Sequence, residues 1–220
     1  MSPRLTRRTF LNSTAIAAGA GLAAPLLSLP ALASPAVAAV GKPAPTFTGT
    51  TVDGQTMSLA DYKGKLVVLE WTNHGCPFVR KHYDSGNMQA VQAEAVAAGA
   101  VWLTIISSAP GEQGHVSPAD AKARAASEKW AASTTILDPS GTIGRAYGAK
   151  TTPHMFIIGA DGALLYDGAI DDRPTADKAD IAGSKNYVRA ALADIAAGRP
   201  VAISSSRAYG CSVKYAKASA

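Results

Sequence analysis

No block of basic residues occurs in this sequence, and only 17% of its 220 residues are charged. Nucleic-acid or polyanion binding depends on clustered phosphate-neutralising charge, so that class falls away. The formal net charge of +5 overstates even the small positive balance. Arg4, Arg7 and Arg8 sit in an N-terminal stretch that reads as an export signal, and without them 18 basic side chains face 16 acidic ones, about +2. Internal repeats and long low-complexity runs are absent. After the N-terminal stretch no segment approaches the about 20 apolar residues that a membrane-spanning helix needs. A hydrophobic fraction of 47% excludes wholesale disorder. Cysteine is scarce as well: Cys76 and Cys211 are the two thiols, and with no Cys-x-x-Cys in the chain no vicinal disulfide can form.

What is present begins with an address. Thr6-Arg7-Arg8-Thr9-Phe10-Leu11-Asn12 resembles the twin-arginine export signature, and a mildly apolar run rich in Ala and Gly follows from Ser13 to Ala33. Pro25 and Pro30 interrupt that run, which suits a cleaved signal better than an anchor. Ala31-Leu32-Ala33 and Val37-Ala38-Ala39 both offer the small residues a signal peptidase accepts, placing the mature start between Ser34 and Val40. The organisation expected is a signal peptide and short linker over residues 1–39, one domain over 40–200, and a small, polar, extended tail over 201–220 that carries Cys211. Periplasmic or secreted localisation follows, with no stable membrane insertion after cleavage.

Along the domain, strand and helix patterns alternate. Thr46 to Val52 and Gln55 to Leu59 read as a hairpin around Asp53-Gly54. Leu66 to Trp71 is an almost unbroken apolar run of the kind shown by a strand covered on both faces. It ends at Asn73-His74-Gly75-Cys76-Pro77, after which Val79, Tyr83, Met88, Val91, Ala95 and Val96 recur mostly at helical spacing, with a kink at Gly86 and a stop at Gly99. A buried strand over Val101 to Ile106, a helix from about Ala119 to Trp130 and a short strand over Thr135 to Leu137 come next. The strand pair Met155 to Ile158 and Ala163 to Tyr166 turns at Asp161-Gly162, and a last helix spans about Lys185 to Ala197. Parallel strands with helical crossovers, then an antiparallel hairpin and a final helix, predict an α/β fold in three layers around a mixed central sheet.

Leu66-Val67-Val68-Leu69-Glu70-Trp71, Cys76-Pro77 opening a helix, Thr152-Pro153 before Met155-Phe156-Ile157-Ile158, and Asp161-Gly162 together resemble the thioredoxin superfamily. The similarity is closest to the redoxin branch that includes alkyl hydroperoxide reductase and thiol-specific antioxidant proteins, and it spans Pro43 to Ala197. It implies a thioredoxin-like α/β/α sandwich in which Pro153 is a cis-proline packed against the nucleophile. It further implies that the Thr152 backbone pairs with a bound thiol substrate, and that Trp71, Pro77 and Phe78 border the substrate. Thiols, disulfides and hydroperoxides are the implied substrates, reset by an external thiol reductant, and no cofactor is expected. The departures are informative. Val79 stands where a thioredoxin-type dithiol has its second cysteine, and Leu69 and Asn73 stand where a peroxiredoxin has its proline and threonine.

Cys76 earns attention without any family. It follows a buried strand and precedes Pro77, whose fixed φ suits the first helical position, so Cys76 would cap the helix with its sulfur facing unpaired amides. Those amides and the helix dipole favour the thiolate, and Arg80 and Lys81 add positive potential one turn on. Cys211, between Tyr209 and Tyr215, could resolve a mixed disulfide or sulfenic acid on Cys76 if the tail folds back. The other reading is a structural disulfide closing 134 intervening residues. Glu70, at the end of an apolar strand, reads equally as a buried proton relay or as a strand-end residue facing water. His74, His82 and His154 could approach Cys76, but their spacing is not that of a zinc or copper site and no metal is expected. Asp171-Asp172-Arg173 reads as a solvated turn. Two functions result: an exported thiol oxidoreductase using Cys76, Cys211 and Glu70, or a non-catalytic thioredoxin-like binding module held by a staple.

Overall fold

A computed structural model describes residues 37–217; the export signal expected over 1–39 lies outside them but for its last three residues. The expected hairpin is formed by β1 (Thr48–Thr51) and β2 (Thr56–Ser58), with Gly54 at φ +77° supplying the left-handed turn that Asp-Gly promises. β3 (Val67–Trp71) is buried along its whole length, as its apolar run requires. The chain then turns into α1 (Pro77–Asp84) and α2 (Asn87–Ala97). The spacing predicted one kinked helix here. It is two, because Gly86 takes φ +76°, a left-handed conformation that ends one helix and caps the next.

β4 (Val101–Ile106), α3 (Pro118–Ser127) and β5 (Thr134–Leu137) follow in the expected order. α4 (Thr142–Tyr147) is an element that periodicity did not reveal: six residues between the left-handed Gly141 and Gly148 are too few to show a helical period. β6 (Thr151–Thr152), β7 (His154–Ile158), β8 (Leu164–Gly168) and α5 (Tyr187–Ala196) complete the body. The sheet runs β2-β1-β5-β4-β3-β7-β8, with β3, β4 and β5 parallel and the others antiparallel to their neighbours. Its two faces carry separate apolar cores. One gathers Leu69, Trp71, Leu103, Ile136, Tyr147 and Phe156; the other gathers Val68, Cys76, Val79, Met88, Trp102 and Tyr166. Each fully buried Leu or Ile contributes about 1.5–3 kcal/mol, so both layers hold β3 and β4 at the centre.

The tail is not the loose surface strand its composition suggests. Cys211–Ser212 form β9, antiparallel to β6, with Thr152 opposite Cys211, and Val213 enters the core at 9% exposure. The tail is bedded on glycines. A β-carbon at Gly168 would strike Ser206, at Gly210 the Thr152 carbonyl, and at Gly141 or Gly144 the Tyr215 ring. Close backbone approach at small residues replaces the apolar pattern that a sequence reading needs.

Candidate active site

β3 delivers the chain to the end of the sheet, and the turn after it places Cys76 at the N-cap of α1 with Pro77 at the first helical position. Gly75 N–H donates to the Asn73 side chain and Cys76 N–H to the Asn73 carbonyl, so the turn is fixed by its own asparagine. The Cys76 thiol is fully buried and donates to the Thr152 carbonyl at 3.0 Å. The Thr152–Pro153 peptide bond is cis, so the proline follows directly on the acceptor.

Cys211 closes the site from the other side. The tail strand sets Cys211 opposite Thr152, whose carbonyl holds the Cys76 thiol, so that its backbone N–H and its thiol lie beside the Cys76 sulfur. Both cysteines are free thiols in this structure. Burial alone pushes the Cys76 thiol up, but hydrogen bonds from the Cys211 thiol, the Cys211 amide, the Val79 amide and Thr152 together hold it below its ordinary value. The Val79 amide stands at N3 and turns toward the sulfur without closing a strict cap bond. Cys211 moves the opposite way, up to about 11, because burial and the neighbouring Cys76 both disfavour a second thiolate. The two shifts favour the thiolate on Cys76 and the protonated form on Cys211.

The other expected residues divide. Phe78 lies on the first turn of α1 and packs edge-on against Tyr209, centroids 5.8 Å apart. Trp71 is fully buried in the opposite layer, against Tyr147 and Phe156, and its indole N–H donates to Ser107, so it presents no surface to a substrate. Strand alternation is the reason: Trp71 and Glu70 point to opposite faces. Glu70 does not face water. It is buried, accepting from the Tyr83 hydroxyl, the Gln92 amide, the Trp102 indole and the Thr104 hydroxyl, and no hydrogen bond links it to Cys76. Burial raises its pKa, partly offset by those four donors.

Arg80 and Lys81 do not add free positive charge at the thiol. Arg80 pairs with Asp84 and Glu128, while Lys81 is buried against Asp171 at 3.1 Å and donates to the Arg173 carbonyl at 2.7 Å. The expected solvated turn is thus divided: Asp172 and Arg173 are exposed, whereas Asp171 is buried at 1% exposure. The histidines disperse. His82 is buried beside Asp171 and Asn87, His154 pairs with Asp167 at 2.8 Å, and His74 borders a different cavity with His115. Among the described residues no three His, Cys, Asp or Glu side chains come together as a metal site would need.

Tyr209 is the residue that sequence reasoning passed over. Its hydroxyl donates to Asp171, and the Lys81 ammonium at 3.4 Å and the His82 imidazole at 3.3 Å lie around it. The bracket of Tyr209 and Tyr215 about Cys211 was its only trace, since a lysine and an aspartate on buried faces leave no pattern.

A mixed sheet between helical layers, a thiol at the helix N-cap and the carbonyl just before a cis-proline accepting from that thiol define a thioredoxin-like redox protein. The sequence model of the AhpC/TSA family matches residues 40–167, and the chain belongs to that family. Similar solved structures include an uncharacterized conserved protein from Geobacillus kaustophilus, 27% identical, with TM-score 0.70 over 82% of this chain and 94% of that one. A hypothetical protein from Sinorhizobium meliloti shares the fold at 22% identity and TM-score 0.67, over 82% of this chain and 96% of its own. No curated protein matches the sequence.

Proposed function

We propose that this protein is an exported thiol oxidoreductase in which Cys76 is the nucleophile and Cys211 the resolving thiol. The observation that carries the reading is the juxtaposition of the two free thiols at a helix N-cap, Cys211 standing opposite Thr152 in the β6–β9 ladder and the Cys76 thiol bonded to the Thr152 carbonyl, with their pKa values displaced in opposite directions. The Cys76 thiolate attacks one sulfur of a disulfide RSSR, forming a mixed disulfide and releasing RS⁻, which takes up a proton. Cys211, losing its proton, then attacks the Cys76 sulfur, expels the second RS⁻ and leaves a Cys76–Cys211 disulfide. RSSR is thereby reduced to two RSH by two electrons from the pair, and an external thiol reductant restores it. Family membership supports a hydroperoxide as a second oxidant class. There Cys76 takes one peroxide oxygen as sulfenic acid, releasing an alcohol, and Cys211 displaces water to give the same disulfide.

Glu70, without a bond to sulfur, fastens α1 and α2 to β3 and β4 rather than handing over a proton. The Thr152 carbonyl, Pro153, Pro77 and Phe78 shape the surroundings of the thiol. The twin-arginine-type N-terminus supports a periplasmic or secreted site of action. The test is turnover of a disulfide and of a hydroperoxide with a thiol reductant, using wild type, Cys76→Ser and Cys211→Ser. Loss of turnover in Cys76→Ser, with a trapped mixed disulfide in Cys211→Ser, is expected. A wild type that turns over neither oxidant, or a pair that resists reduction until unfolding, favours the binding module with a staple.

A further inference from the structure

We infer that Tyr209 is the positioning residue that sets Cys211 against Cys76, through a hydroxyl seated in a buried polar chain rooted on the helix that Cys76 caps. The inference rests on the exchange reading above but concerns a residue that reading does not use. Tyr209 lies two residues before Cys211, just outside β9, and only Gly210, whose backbone is pressed on the Thr152 carbonyl, stands between them. Fixing its ring therefore fixes where the Cys211 backbone stands.

The seat is specified bond by bond. Arg189 donates to the Asn87 side-chain oxygen at 3.0 Å, which leaves the Asn87 amide nitrogen to donate to His82 Nδ1 at 2.9 Å. With Nδ1 accepting, the neutral imidazole carries its proton on Nε2 and donates to the Tyr209 oxygen at 3.3 Å. The Tyr209 proton in turn goes to Asp171 Oδ1, while Asp171 Oδ2 accepts from Lys81 at 3.1 Å. Burial holds the His82 pKa down to about 4, so this donor order persists at neutral pH. Lys81 and His82 are on α1, and their side chains, like that of Asp171, are fully buried. Phe78, also on α1, supplies the edge-on wall for the ring. The same eight-residue helix thus carries the nucleophile at its N-cap and the seat of the resolving strand along its buried side. A structural tail would need only the anchors downstream of Cys211, where Val213 fills the core and the Tyr215 hydroxyl donates to the Ala149 carbonyl. Tyr209 adds a second fixed point on the near side, so that Cys211 hangs between two anchors with its backbone pressed on Thr152 at Gly210.

Holding a thiol in place raises its effective concentration toward its partner. The readout is the equilibrium of the full-length mature protein in a glutathione redox buffer: dithiol protein plus glutathione disulfide gives disulfide protein plus two glutathione. Tyr209→Phe keeps the ring and removes the hydroxyl. It is expected to lower that equilibrium constant about tenfold, equivalent to about 30 mV. It is also expected to raise the share of Cys76–glutathione mixed disulfide seen by mass spectrometry, with the thermal midpoint of the reduced protein shifted by only a few degrees. Should Tyr209→Phe fail to fold, Phe78→Leu, which removes the wall and spares the polar chain, shifts the same constant in the same direction by about threefold. An unchanged constant in a folded Tyr209→Phe overturns the inference while leaving the exchange reading intact. A wild type that forms no Cys76–Cys211 disulfide at any buffer ratio overturns the exchange reading and, with it, this one.

Discussion

Gly210 gives the sharpest test of whether the tail seals the site. Its φ of +131° lies where side chains are strained, and a β-carbon there would collide with the Thr152 carbonyl oxygen. Gly210→Ala must therefore lift β9 from β6 locally, while Val213 and the seven-stranded sheet stay in place. The strained backbone adds about 1 kcal/mol to the closed form, and loosening the short ladder forfeits about two hydrogen bonds at about 1 kcal/mol each. Roughly 3 kcal/mol against closure corresponds to about a hundredfold more open molecules. Cys76 is fully buried when closed, so its alkylation proceeds through the open form. The assay is the pseudo-first-order rate of Cys76 carbamidomethylation in the reduced protein, followed by mass spectrometry at several pH values and corrected for thiolate fraction. An increase on the order of 10² is expected, with circular dichroism unchanged. A corrected rate within threefold of wild type would refute the claim that β9 controls access to the sulfur.

Three further outcomes follow from buried charge. Glu70→Gln puts an amide among four donors and is expected to cost about 1–3 kcal/mol in urea unfolding. Because the folded-state pKa of Glu70 is raised, wild-type stability from this group is complete below about 4.5 and falls as pH rises through the folded value, so the gap between variant and wild type narrows toward high pH. His82 behaves oppositely: with its folded pKa near 4 against 6.5 unfolded, it contributes about 3 kcal/mol that is present above pH 6.5 and lost between 6.5 and 4. Chemical denaturation of His82→Gln across that range should show a flatter acid limb; an identical limb would remove His82 as its source. Lys81→Met leaves Asp171 buried without its cation and should cost about 3–5 kcal/mol by the same assay, a loss below 1 kcal/mol meaning that water reaches the pair.

Much of the body was legible because its signals are local. The apolar runs of β3 and β4, the Asp-Gly turn, and Cys76-Pro77 at a helix start each state their structure within a few residues. What escaped was decided by distant partners. The seat of Tyr209 is assembled from Lys81, His82, Asn87 and Asp171, whose polarity reads as surface until the fold buries them. Trp71 was assigned to the substrate side by resemblance, yet strand alternation turns it to the opposite core. The tail failed as a pattern for a different reason: its partners are glycines, which offer room rather than hydrophobicity.

The position of Val213 within the core has a bearing on how this chain is made. A protein synthesised from its N-terminus begins to fold while the ribosome is still adding residues. Here Val213, the second thiol and the cover over the first all come after the whole seven-stranded sheet in chain order. While that stretch is still unmade, Cys76 stands at its helix end without its lid. The order of synthesis thus leaves a nascent sheet with an uncovered thiol, and only the arrival of the residues around Cys211 buries it.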